Sequence, residues 1–149
     1  MKTKAVIVDM DGTLASDGWR VSMIADEGWE SYMEAQVFDA PVPAVVRSVD
    51  HFFSLGYHVI ILTNRWEKHR LLAEDWLEHH GVRYSELLMR PDDDYREGVE
   101  MKAHQYKTHI EPKYLVVVAL EDKPEVCEMW GRMSVPAHKV TDPNLPPLV

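Results

Sequence analysis

The chain has 149 residues, of which 46% are hydrophobic and 28% are charged, a composition typical of one globular domain and not of a disordered chain. Its net charge of −9 argues against a protein that grips long nucleic acid by charge alone, although a local basic cleft is compatible with it. The lone cysteine, Cys127, cannot form an internal disulfide, and no signal peptide or membrane span is recognisable, so the sequence predicts a cytoplasmic protein.

Three short apolar runs predict strands. They lie at 5–8, 59–62 and 115–120. Continuous apolar runs of this length suit strands that are buried on both faces of a parallel sheet. Each run ends at a polar or acidic group: Asp9, Thr63 and the Glu121–Asp122 pair.

Helical patterns separate the strands. Apolar residues recur at helical spacing over 43–55, 66–80 and 124–133, and shorter strands are expected at 87–89 and 138–140. Thr63 and Asn64 would cap the second helix and also bind phosphate, because both uses need the same backbone amides. The alternation predicts a doubly wound α/β fold, a three-layer sandwich around a central parallel sheet, formed by 1–149 as a single domain. Ligands of such sheets bind beyond the carboxyl ends of the strands.

The segment at 15–40 fits this alternation poorly and is predicted to be a small cap, inserted after the first strand. A helix is expected over 21–36 within it. Trp19 and Trp29 are expected either to close over a base or sugar or to pack the cap onto the sheet. The tail at 143–147 is expected to be irregular.

Two carboxylates that lie two residues apart at the end of a strand indicate a bound cation. Asp9 and Asp11 would repel each other unless a divalent cation drew both of them in. Asp122 would reach the same ion from a neighbouring strand, and Glu121 beside it would either hold a water bound to the ion or support the ligands from behind. The sequence therefore predicts a Mg²⁺ site built from Asp9, Asp11, Asp122 and Glu121.

The same residues predict phosphoryl-transfer chemistry. Asp9 would attack phosphorus, while Asp11 would protonate the leaving group and later deprotonate the attacking water. Thr63 would hydrogen-bond the phosphoryl oxygens. Lys102 would balance charge on both the aspartate and the phosphate.

The motifs together resemble the haloacid dehalogenase (HAD) superfamily of aspartate-nucleophile phosphotransferases. The matching pieces are Asp-Met-Asp-Gly-Thr at 9–13, Leu-Thr-Asn at 62–64, Lys102, and Glu-Asp at 121–122. The resemblance implies a HAD-like Rossmannoid fold and an aspartyl-phosphate intermediate. It also implies that Asp11 marks a phosphatase, not a dehalogenase.

The residues that flank these motifs resemble the phosphatase half of the bacteriophage polynucleotide kinase/3′-phosphatases. That resemblance implies that Arg20, Asn64, Arg65 and Arg96 bind the phosphate and nucleotide. Arg90 belongs to the same pattern, although Arg90 and Arg96 could equally be solvated surface arginines.

The chain also departs from that pattern. Gly98 stands where the family carries an acidic residue one helical turn before Lys102, and Glu121–Asp122 stands for two aspartates. A G-x-x-x-x-G-K-[ST] motif does not occur, so the kinase half is not expected.

The favoured hypothesis is a phosphatase that removes 3′-phosphates from polynucleotide ends or from nucleotides. A small-metabolite or mononucleotide phosphatase of the same superfamily is the enzyme alternative. A non-catalytic binding module is a remote alternative, because the set of reactive residues is intact. No membrane and no obligate protein partner are implied.

Overall fold

The computed structural model describes residues 1–144 of the protein, so part of the tail at 143–147 lies outside the described residues. The strands are β1 Thr3–Val8, β2 Ala15–Ser16, β3 Ala40–Pro41, β4 His58–Trp66, β5 Glu86–Arg90, β6 Tyr114–Glu121 and β7 Ala137–Lys139. The five longest form one sheet in the order β5-β4-β1-β6-β7, and every neighbouring pair in it is parallel. The predicted parallel sheet is confirmed.

Helices cover both faces of this sheet. The α-helices are α1 Met23–Asp26, α2 Trp29–Glu34, α3 Pro43–Ser54, α4 Arg70–His79, α5 Gly98–Gln105 and α6 Pro124–Arg132. On one face, Val49 of α3 and Leu77 of α4 pack against Val6 and Ile61 of the central strands. This packing forms the first of two cores.

The second core lies on the opposite face. Successive strand residues point to opposite sides of a sheet. Ile7 follows Val6 and Leu62 follows Ile61, so both pack on this second face, with Met129 and Trp130 of α6. All four side chains are nearly or completely buried. Helices, sheet and helices thus make the predicted three-layer sandwich.

The segment between β2 and β3 is closed at its base by a short antiparallel ladder that pairs Ala15 with Pro41 and Ser16 with Ala40. The single helix expected over 21–36 is wrong. Two short helices replace it, and the chain breaks between them at Gly28, whose φ of +90° lies in a region that favours glycine. That this segment acts as a cap stays a prediction.

The helix expected over 66–80 begins later, at Arg70, because β4 continues through Thr63 as far as Trp66. Pairing with β5 extends the strand: after an irregularity in register, Trp66 lies opposite Arg90. Thr63 and Asn64 are therefore strand residues, and their expected role as helix caps is wrong. Tertiary pairing here outweighs the local helical pattern.

The carboxyl ends of β1, β4 and β6 meet at one edge of the sheet, as parallel pairing requires. Asp9 follows β1 directly, and its backbone N–H donates to the carbonyl of Leu120 on β6 at 3.0 Å. No helix within residues 1–144 has the length and apolar character that crossing a bilayer demands.

Candidate active site

Asp9 is the centre of the site. Its side chain is buried, and its two oxygens have different partners. The Lys102 ammonium donates to Oδ1 at 2.7 Å, and the Thr13 hydroxyl donates to Oδ2 at 3.1 Å. The residue that sequence reasoning proposed as nucleophile is thus oriented from both sides.

The turn after β1 brings Asp122 against the same group. Gly12 adopts φ of +80°, and a Cβ atom on Gly12 would collide with the Asp122 carboxylate. The Thr13 hydroxyl lies 3.3 Å from Oδ1 of Asp122, so this one hydroxyl stands between two carboxylates. Glycine is needed at position 12 both for its backbone conformation and for this close approach.

Glu121 is the second carboxylate that binds Lys102. Oε2 of Glu121 accepts from the Lys102 ammonium at 2.7 Å, and Oε1 accepts from the backbone N–H groups of Asp122 and Lys123. Burial alone would lower the pKa of Lys102, but the charges of Asp9 and Glu121 outweigh it and raise the pKa. Lys102 is therefore a permanent cation within the buried site.

Three carboxylates converge here with one lysine among them. Oxygens of Asp9, Glu121 and Asp122 all lie within 4.8 Å of one another. Burial and the charge of Glu121 raise the pKa of Asp9 well above its usual range, and burial raises the pKa of Asp122 to about 6. This excess of negative charge, on hard oxygen ligands, suits a divalent cation such as Mg²⁺.

Asp11, expected as a fourth metal ligand, stands apart from this group because two arginines hold its side chain. Arg65 approaches with Nη2 at 2.6 Å from Oδ1 and with Nε at 3.1 Å from each oxygen, and Nη2 of Arg20 lies 3.0 Å from Oδ1. Burial would raise the pKa of Asp11, but Arg65 and Arg20 outweigh burial and lower it.

Both arginines are buried and share a second carboxylate, that of Asp39. Arg20 donates Nε and Nη2 to its two oxygens at 2.8 and 2.7 Å, and Nη2 of Arg65 lies 3.3 Å away. Gln36 accepts from Arg65, and the carbonyl of Tyr32 accepts from Arg20. The arginines expected to contact substrate are thus engaged with the 15–40 segment and with Asp11.

Sequence reasoning missed Asp39 and Gln36. No motif marks either residue, since their partners lie 19 to 29 positions away. A physical reason for an acidic partner becomes visible only once both arginines are known to be buried. Two buried arginines around the single carboxylate of Asp11 require a further anion, because an uncompensated buried charge is costly. That reasoning predicts an acidic partner without saying which residue it is.

Thr63 and Asn64 lie on the last part of β4. The buried Thr63 hydroxyl accepts from the backbone N–H of Arg65 at 3.1 Å. The Asn64 side-chain oxygen accepts from Nη2 of Arg90 at 3.1 Å. Arg90, for which a surface position was equally expected, is 93% buried and also donates to the carbonyls of Asp94 and Arg96.

Arg96, predicted to bind substrate, forms a fork-like pair with the neighbouring carboxylate of Asp94, at 3.0 and 2.6 Å. Its side chain is 41% exposed. The two tryptophans of the 15–40 segment are about half exposed: Trp19 donates its Nε1–H to Asp39, and Trp29 packs on the ring of Tyr32. Contact of any of these three with substrate stays a prediction.

The fold and the site define a phosphatase of the HAD superfamily, since the parallel sheet carries a buried aspartate directly after β1 and an acidic pair at the end of β6, as the resemblance of the motifs implied. A family model described as the polynucleotide kinase PNKP phosphatase domain matches residues 3–145. The chain therefore belongs to the HAD phosphatase family of polynucleotide kinase PNKP.

Individual relatives agree with this assignment. A protein named as a bifunctional polynucleotide kinase/RNA ligase, from Autographa californica nuclear polyhedrosis virus, is 23% identical over 135 residues, which are 89% of this chain. A chain in the structure of a Pnkp1/Rnl/Hen1 complex is 31% identical with a TM-score of 0.83 over 93% of this chain. The class C acid phosphatase from Bacillus anthracis shares the fold. It is 14% identical, with a TM-score of 0.71 over 97% of this chain.

The chain spans only part of these relatives. It corresponds to 18% of the viral protein, 46% of the chain in the Pnkp1/Rnl/Hen1 complex and 68% of the acid phosphatase.

Proposed function

We propose that this protein is a Mg²⁺-dependent phosphatase that works through an aspartyl-phosphate intermediate and removes 3′-phosphates from polynucleotide ends or from nucleotides. One observation carries the proposal. Asp9 is fixed between Lys102, at 2.7 Å, and the carboxylate of Asp122, while Asp11 is held separately by Arg65. The two aspartates of the first motif thus have different partners and can do different work.

In the first step, an oxygen of Asp9 attacks phosphorus and the bond from phosphorus to the ester oxygen breaks. Lys102 balances the charge of Asp9, and the hydroxyl of Thr13 orients the carboxylate. Mg²⁺, held by Asp9 and Asp122, would supply positive charge to the transferring phosphoryl group. Glu121 has both oxygens engaged with Lys102 and backbone amides, so it positions the lysine at the edge of the metal site.

Asp11 handles the protons in both steps. It gives a proton to the leaving alkoxide and then takes one from the water that attacks the phosphoaspartate, which returns Asp9 as a free carboxylate and releases inorganic phosphate. With Arg65 and Arg20 bound to it, Asp11 is ionised in the free protein. A substrate phosphate that draws these arginines toward itself would let Asp11 gain the proton that it donates.

The choice of substrate rests on the family. A polynucleotide kinase phosphatase domain acts on phosphorylated nucleic-acid ends, and the named viral relative is a polynucleotide kinase and RNA ligase. Buried arginines beside the catalytic aspartates suit a phosphate monoester dianion, whatever the net charge of the whole chain. We also propose that the chain works as a single domain with a cap at 15–40 and needs no obligate protein partner.

The test is a substrate panel measured with Mg²⁺ and with a chelator. We expect 3′-phosphorylated oligonucleotides and nucleoside 3′-phosphates to be hydrolysed faster than nucleoside 5′-phosphates and sugar phosphates. Asp9→Asn should lower kcat by ~10⁴-fold or more, while Asp50→Asn, on an exposed pair with Arg83, serves as the matched control. A preference for sugar phosphates would assign the protein to metabolite turnover, and an active Asp9→Asn variant would exclude the mechanism.

A further inference from the structure

An exposed aromatic surface lies next to the proposed site, at the ends of β4 and β5. The rings of Trp66 and Tyr95 have centroids 5.6 Å apart and are tilted by 56°. The Arg90 guanidinium lies 5.4 Å from the centroid of Trp66. Tyr95 is 83% exposed, although hydrogen bonds hold the backbone of its loop in place. We call these two rings the Trp66–Tyr95 platform.

Arg90 fixes the platform to the active site. Its guanidinium bonds the carbonyls of Asp94 and Arg96, on either side of Tyr95, at 2.9 and 2.7 Å. The same group bonds both the carbonyl and the side chain of Asn64. Binding of a ligand to Tyr95 has a low entropic cost, because Arg90 already orders the backbone on either side of that tyrosine.

The platform is connected to the proposed site through the last residues of β4. Trp66 follows Thr63 by three strand residues, a span of about 10 Å, and Arg65 between them contacts Asp11. Beside Tyr95 there is a cleft of about 560 Å³, bounded by the loop residues Pro91, Asp93, Asp94, Tyr95 and Arg96. That volume is within the range of small-ligand sites.

The charges of this cleft favour a flat, uncharged group over a second phosphate. The Arg96 guanidinium neutralises Asp94 and holds the pKa of that carboxyl at about 2. Asp92 accepts the backbone N–H of Lys68, and Asp93 is exposed on the wall of the cleft. A further backbone phosphate would meet this negative charge, whereas the face of a nucleobase would not.

We propose that the Trp66–Tyr95 platform binds the nucleobase of the nucleotide that carries the scissile phosphate, by stacking on the exposed face of Tyr95. The inference rests on the proposed function, because it requires a nucleotide at the site. Stacking on an aromatic ring accepts any base, so the platform recognises the presence of a base and not its identity.

The kinetic test compares substrates with and without a base. Tyr95→Ala should lower kcat/KM for a nucleoside 3′-phosphate by between about 5-fold and about 100-fold, mainly through KM. It should leave kcat/KM for a base-free deoxyribose 3-phosphate unchanged. Tyr95→Phe should retain wild-type kinetics on both substrates, and Leu71→Ala, which truncates another exposed apolar side chain, is the surface control. Equal losses on both substrates, or no loss on either, would overturn the proposal.

A second measurement does not depend on turnover. An oligonucleotide that ends in 5-iodouridine 3′-phosphate is irradiated with the Asp9→Asn variant, and the crosslinked residue is located by mass spectrometry. We expect the crosslink at Tyr95 or Trp66. A crosslink at Trp19 or Trp29 would place the base on the 15–40 segment and would contradict the platform. Inactivity of the wild-type protein on 3′-phosphates, with a crosslink still at Tyr95, would count against the proposed reaction and not against base binding.

Discussion

Arg65 binds Asp11 through two nitrogens of one guanidinium, with Nη2 at 2.6 Å from Oδ1 and Nε at 3.1 Å from both oxygens. The contact joins the end of β4 to the turn after β1. It orients the carboxylate that is proposed to move protons. The planar fork of arginine makes this possible, and the single ammonium of lysine cannot reproduce it.

Arg65→Lys should therefore impair catalysis more than folding. We expect kcat to fall by about 10- to 100-fold, because a misplaced proton donor forfeits much of the gain from general acid–base catalysis. The measurement is kcat on a 3′-phosphorylated oligonucleotide, alongside the melting temperature. Arg83→Lys, at an exposed pair with Asp50, is the matched control. Wild-type kcat in Arg65→Lys would show that the fork is dispensable.

Asp39→Asn should destabilise the protein, although we assign no proton transfer to Asp39. Its side chain is fully buried and carries the charge that faces Arg20 and, at longer range, Arg65. Loss of that charge leaves two buried guanidiniums with Asp11 as their remaining carboxylate, and we expect a cost of about 3 kcal/mol in the free energy of unfolding.

Urea denaturation of Asp39→Asn measures this cost. Asp50→Asn supplies the comparison, since an exposed ion pair contributes little to stability. Equal stabilities for the two variants would mean that Asp11 alone balances both arginines.

The layers of the fold were predictable because their signals are local. Continuous apolar runs predicted the three central strands, and the polar residues at their ends predicted Asp9, Thr63 and the acidic pair at 121–122 as a candidate site. The helix expected over 66–80 began at the wrong residue because the extension of β4 depends on β5, whose partner Arg90 lies 24 positions beyond Trp66. Local periodicity contains no information about such pairing.

The arginine network was not predictable for a related reason. Arg20 and Arg65 were identified as a pair by resemblance, but their shared partner Asp39 lies in an irregular part of the chain, just after a 3-10 turn. A carboxylate there has the sequence features of any solvated loop. Its role depends on the path of the 15–40 segment, which breaks at Gly28 in a way that the apolar spacing did not indicate.

Mg²⁺ should stabilise the protein more strongly at about pH 8 than at about pH 5. Burial raises the pKa of Asp122 to about 6 from an ordinary value of 3.8, so the ion must displace a proton below that pH. Each pH unit below about 6 should weaken the apparent affinity about tenfold for one displaced proton. The increase in melting temperature that one fixed Mg²⁺ concentration produces measures this loss of affinity. Asp122→Asn should abolish most of that increase.

Without Mg²⁺, the sign of the pH effect is reversed. A carboxyl whose pKa is higher in the folded than in the unfolded state contributes stability that is fully present below about pH 4 and is lost as the pH rises to about 6. The stability of the wild type relative to Asp122→Asn should therefore fall over this interval. A difference that rises with pH would contradict the raised pKa of Asp122.

Gly98 and Asn64 should show strong energetic coupling. Gly98 is the first residue of α5, and a Cβ atom placed on it would lie 2.5 Å from Nδ2 of Asn64. Asn64 cannot easily move away, because Arg90 holds its side-chain oxygen at 3.1 Å. Gly98→Ala should thus cost about 1–3 kcal/mol through overpacking, even though alanine favours helix formation over glycine.

A double-mutant cycle tests this coupling. In an Asn64→Ala background the obstructing amide is gone, so Gly98→Ala should become neutral or stabilising by up to about 1 kcal/mol. Urea denaturation of the four proteins gives the interaction free energy. Gly131→Ala, at a helical glycine with open space around its Cβ position, is the control for helix propensity alone. If Gly98→Ala costs the same in both backgrounds, the side chain of Asn64 is not what excludes a larger residue at position 98.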